Sequence, residues 1–154
     1  MNKLLSINPL WVFVLFILLD IICVGMGMGL PFFCILLGFP LGWFLVRYIT
    51  ATPMPTRQTF RRILIYALVA AVVTLFLMLV LWAPLATYLF DPTRDLSQTG
   101  IPMILYEPFA SLIGWLVLMI LISPFLQLLA IIFSAYLTLF YDLSTGKKFP
   151  HPIT

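Results

Sequence analysis

The sequence predicts an all-α fold, a polytopic transmembrane helical protein with four membrane-spanning helices and both termini cytoplasmic. Three observations lead there. Of the 154 residues, 64% are hydrophobic and only 8% charged, against about 25% charged in a soluble domain. The apolar residues gather into four runs, each close to or above the roughly 20 residues that cross a hydrocarbon core. The basic residues collect on one side of the topology those runs imply.

The first span is expected at about 8–25. It is apolar from Leu10 to Val24 except for Asp20. A signal peptide is a poorer reading of this segment, because the apolar run is too long and no Ala-x-Ala-like site follows it. Gly25, Gly27 and Gly29 then alternate with Met26 and Met28, which predicts a tight reversal. Pro31 suits the first turn of the next helix. That second span, about 30–49, carries Pro40, where a kink is expected.

Thr50 to Thr59 reads as a polar connector holding Pro53 and Pro55. The third span is placed at about 63–86 and an outer loop at 87–107, with Asp91-Pro92, Gly100 and Pro102. The fourth span, about 108–140, is longer than one crossing needs, so a tilt or a bend at Ser123-Pro124 is expected. The residues from 142 to 154 form a tail, and the whole chain is one domain.

Seven of the eight basic residues (Lys3, Arg47, Arg57, Arg61, Arg62, Lys147 and Lys148) share one side, with Arg94 alone on the other. The positive-inside rule makes the first side cytoplasmic. A multi-pass protein of a prokaryotic cytoplasmic membrane is the resulting location.

Several chemistries are set aside. The only histidine, His151, lies in the tail, so a bis-histidine haem site is not expected. Two cysteines and one distant histidine do not make a closed zinc site. No nucleic-acid module is present to carry the net charge of +3. No catalytic residues, metal or cofactor are therefore expected, and the chain is read as not an enzyme. A lipid, quinone or pigment held by apolar contacts stays open, because such contacts leave no motif.

Asp20 is the one acidic residue inside an apolar span, and an intramembrane ionisable group is a functional candidate. It could relay protons or bind a cation. The plainer expectation is an interfacial polar cluster of Asp20, Arg94 and Glu107, because Asp20 is only about five residues, or roughly 7–8 Å, from the predicted turn. Cys23, Met26 and Met28 offer soft ligands, but methionine is also a common packing residue. Cys23 and Cys34 flank the turn nearly symmetrically. A disulfide between them is open in an oxidising exterior, with two free thiols the favoured state.

Gly38 with Gly42, Ala67 with Ala71, and Ala110 with Gly114 are small-xxx-small pairs that allow close helix packing in lipid. Arg57, Arg61 and Arg62 are placed to grip anionic lipid head groups. Trp11, Trp43, Trp82 and Trp115 are expected as an aromatic belt.

The function expected from these readings is a non-catalytic accessory or structural subunit of a larger membrane complex, with lipids and other membrane subunits as partners. Homo-oligomers remain compatible with it. The alternative is a small oligomeric transporter or channel with Asp20, Glu107 and Gln127 near the pathway.

Overall fold

The computed structural model describes residues 9–25, 32–51, 55–90 and 107–145, and every regular element among them is helical. Helix α1 spans Pro9–Gly25, α2 Phe32–Thr50 and α3 Thr56–Trp82, followed by a 3₁₀ segment, Ala83–Phe90. Helix α4, Pro108–Val117, passes through a π turn, Leu118–Ile122, directly into α5, Ser123–Ser144.

Three stretches are long and apolar enough to cross a membrane: Phe32–Thr50, Arg57–Phe90 and Pro108–Ser144. Helix α1 is shorter, with 17 residues, or about 26 Å at 1.5 Å per residue. Much of the outer surface is large and apolar, including Leu10, Trp11, Phe76, Phe125 and Phe140. Exposed apolar area of that extent is unusual for a protein surrounded by water and compatible with lipid.

The boundaries follow local chemistry. Helix α3 starts at Thr56, seven residues before the expected apolar start. Pro55 ends the extended approach (φ −56°, ψ 138°), and Gln58 and Thr59 already bond back to its carbonyl. Polar Arg57, Gln58 and the two arginines at 61 and 62 thus belong to the helix, not to a connector. Helix α4 begins where Glu107 is extended and Pro108 supplies a preset φ. Helix α2 continues unbroken through Pro40.

At the expected bend the helix widens instead of breaking. Pro124 has no N–H, and its ring clashes with the carbonyl four residues earlier. The π turn accommodates both, with the Ser123 amide reaching back to the Leu118 carbonyl. Trp115, expected in an interfacial belt, is 2% exposed and packs edge-on against Trp82 at 6.1 Å. Leu112 and Leu116 likewise pack against the 3₁₀ segment, so α4 is anchored from inside.

The core lies in layers along the bundle. Cys23, Cys34, Met78 and Trp82 occupy one end. Phe16, Leu41, Leu45, Ala67, Ala70 and Ile131 fill the middle, and Val46, Ile49, Ile63, Ala135 and Leu139 the other end. Residue numbers therefore rise together along α1 and α3, and together along α2 and α5. Each pair is parallel, and the two pairs run in opposite directions.

Candidate functional site

The α2–α5 contact is the most extensive in the molecule. It depends on two glycines. A Cβ on Gly38 would lie 2.9 Å from the Gln127 carbonyl oxygen and 3.0 Å from Ala130 Cβ. A Cβ on Gly42 would run into the Ile131 carbonyl oxygen. Both are spaced one turn apart, so the two backbones touch along a stripe. Ala67 and Ala71 are buried, Ala67 within the middle core layer. Gly114 faces open space and Ala110 is only half-buried, so the same spacing there makes no close approach.

Along the stripe, polar side chains of α5 bond to α2 in register. Gln127 Nε2 donates to the Cys34 carbonyl at 2.9 Å. Ser134 Oγ donates to the Phe39 carbonyl at 2.7 Å. At the helix ends, Arg47 Nη1 donates to Asp142 Oδ2 at 2.9 Å, forming an ion pair. These partners are 93, 95 and 95 residues apart, a nearly constant offset that fixes a parallel pair. Asp142 sits in the last turn of α5, next to the negative end of the helix dipole, and Arg47 compensates for that. Removing one such hydrogen bond has a modest price in lipid. Ser134→Ala is expected to lower the unfolding free energy by about 0.6–1 kcal/mol, read by denaturant titration in detergent.

Asp20 is fully buried. Thr74 Oγ1 on α3 donates to its Oδ2 at 2.6 Å, and Gln127 Nε2 on α5 approaches its Oδ1 at 3.4 Å. The Cys34 side chain of α2 also lies beside the carboxylate. Four helices thus converge on one carboxylate. Among the described residues, its hydrogen-bond partners are side chains of the bundle. Glu107 is exposed at the start of α4, and Arg94 lies outside the described residues. Two side-chain oxygens of α5, Gln127 Oε1 in this cluster and Ser123 Oγ four residues earlier in the chain, are buried without a hydrogen-bond partner.

Cys23 and Cys34 are free thiols, Cys23 half-buried and Cys34 buried. Arg57, Arg61 and Arg62 are exposed along the first turns of α3. The glycine-methionine run and the tail fall outside the described residues, and among the described residues no group of three or more His, Cys, Asp or Glu is arranged to hold a metal ion.

Thr74, Ser123 and the Arg47–Asp142 pair were not anticipated. Threonine and serine in an apolar run carry no distinctive signal. The ion pair had one: opposite charges ending two apolar helices on the same predicted side. No family model, curated protein or solved structure matches the chain.

Proposed function

We propose that the chain is a non-catalytic accessory or structural subunit of a larger membrane complex. It spans a prokaryotic cytoplasmic membrane four times, with both termini cytoplasmic, and supplies helix surface and lipid contacts to its neighbours. The observation that carries this reading is where the polar groups are turned. Asp20, Thr74, Gln127, Ser134 and the Arg47–Asp142 pair all bond within the chain. The outward faces are left to Leu, Phe and Val, which suit lipid or foreign helices.

The parallel pairing of α1 with α3 and of α2 with α5 supports an even number of crossings. The exposed Arg57, Arg61 and Arg62 support contact with anionic head groups. A crevice of about 280 Å³, lined by Phe13, Leu41, Phe44, Tyr48 and Tyr66 among others, offers room for an acyl chain or another flat apolar ligand. The competing transporter or channel reading needs pore-lining polar groups. Asp20 and Gln127, its main candidates, are enclosed by four helices.

The test is gentle detergent extraction of the native membrane, followed by native mass spectrometry of particles containing this chain. Co-migration with several different subunits is the expected result. A chain found alone, or only with copies of itself, would overturn the accessory reading and make flux measurements the next step.

A further inference from the structure

We propose that the crevice between α1, α2 and α3 holds one acyl chain of an anionic phospholipid, with the lipid phosphate on Arg62 at its end. The proposal rests on the lipid contacts of the reading above and not on the presence of other subunits.

The crevice has a volume of about 280 Å³. Leu10 and Phe13 of α1, Leu41, Phe44 and Tyr48 of α2, and Tyr66 of α3 form most of its wall. Among the described lining residues, the phenol hydroxyls of Tyr48 and Tyr66 are the only polar side-chain atoms. The part of a ligand that enters is therefore apolar. Shape narrows the choice. Positions 41, 44, 45 and 48 follow one face of α2, so the slot runs along the helix axis. From Leu41 to Tyr48 it is about 10 Å long at 1.5 Å per residue. One leaflet of the hydrocarbon core is about 15 Å deep. A slot of that length and direction matches an extended acyl chain.

Charge selects the head group. Ile63 packs with Val46 and Ile49, so Arg62, the residue before it, stands level with the last turn of α2. Tyr48, in that same turn, lines the crevice. Arg62 also lies one turn before Tyr66, on the same side of α3, which brings its long side chain within reach of the Tyr48 end of the slot. Farther round the helix, Arg57, Gln58 and Arg61 line a cavity of about 460 Å³. Among the described residues none of these three arginines makes an ion pair, and Asp142, the one acidic group at this end of the bundle, is engaged by Arg47. Arginines without an acidic partner beside a long apolar slot suit a molecule with an anionic head and an apolar chain. Guanidinium groups bind phosphate through paired hydrogen bonds.

The experiment uses the full chain in detergent, stripped of lipid and titrated with dioleoylphosphatidylglycerol or dioleoylphosphatidylcholine. The two lipids share acyl chains and differ in net charge. Native mass spectrometry counts the molecules retained. One phosphatidylglycerol per chain is expected to bind saturably, about fivefold tighter than phosphatidylcholine. Arg62→Gln should remove most of that preference. Val12→Trp, which puts an indole into the slot, should weaken both lipids by about tenfold. Where that variant fails to fold, phosphatidylglycerol with a diazirine in its acyl chain decides on the wild-type chain, and its label should fall on the lining residues of α1 and α2. Equal retention of the two lipids, or an unchanged preference in Arg62→Gln, would overturn the proposal. So would unchanged affinities in Val12→Trp or a label scattered over the outer faces, since a head-group contact alone needs no slot. An isoprenoid quinone carried from the native membrane in place of phospholipid would overturn it too. None of these readouts involves other subunits, so their failure leaves the accessory reading standing.

Discussion

Gly42→Leu is expected to separate α2 from α5 and to abolish the compact bundle, while Gly42→Ala should lower the unfolding free energy by about 2–3 kcal/mol. The reason is the identity of the neighbour. A methyl group at this position meets the Ile131 carbonyl oxygen, with Ser134 Cβ at 3.0 Å and the Ala135 amide nitrogen at 3.2 Å. Backbone atoms cannot rotate aside as a side-chain tip could, so the helices themselves must move. That movement would also stretch the Ser134 and Gln127 bonds to α2. Gly114→Ala is the control. Its position faces open space, so a change within about 0.5 kcal/mol is expected. Reversible unfolding in detergent or bicelles reads all three. Equal effects at positions 42 and 114 would mean that the close approach of α2 to α5 contributes nothing to stability.

The second large effect concerns the ion pair at the far end of the same two helices. Asp142→Ala should cost about 2 kcal/mol, because it leaves Arg47 facing the negative helix ends with most of its side chain out of water. The figure is below the 3–5 kcal/mol typical of fully buried pairs, since the side chains retain 18% and 6% exposure. Arg47→Leu should cost a similar amount. The double variant, Arg47→Leu with Asp142→Ala, is expected to be more stable than the worse of the two singles, because neither charge is then stranded. A double-mutant cycle measures this directly. A coupling of about 1 kcal/mol or more is predicted, and strictly additive losses would sink the idea that the pair acts as a unit.

Much of the architecture can be read from the residues, and the reasons for success and failure differ by position. The helical rods were visible because apolar runs of 17–27 residues have few other uses. The Gly38–Gly42 stripe was visible from spacing, but the same spacing at Ala110–Gly114 looked equally good. Only the position of a neighbouring helix separates the two, and spacing says nothing of that. Helix α3 starts seven residues before the expected start of the third span, because hydropathy marks an apolar stretch, whereas a helix begins where backbone donors find partners, here at Pro55. Asp20 stood out as the one acidic residue inside an apolar run, but its partners could not be named. Thr74 and Gln127 lie 54 and 107 residues away, and the rotation of α3 and α5 about their own axes decides whether they face it. The Pro124 bend was anticipated in place and not in kind, since a missing N–H can be absorbed by widening a turn as well as by breaking one.

The near-constant offset of about 95 residues between α2 and α5 also sets a timetable for biogenesis. At 5–20 residues per second, the ribosome finishes the matching stretch of α5 roughly 5–20 s after α2 emerges. Throughout that interval the glycine groove of α2 has no proper occupant, and Arg47 has no counter-charge. The first three helices are thus an unfinished intermediate, with the α2 groove open to a stray helix. The α2–α5 contact, the most extensive in the molecule, therefore forms last.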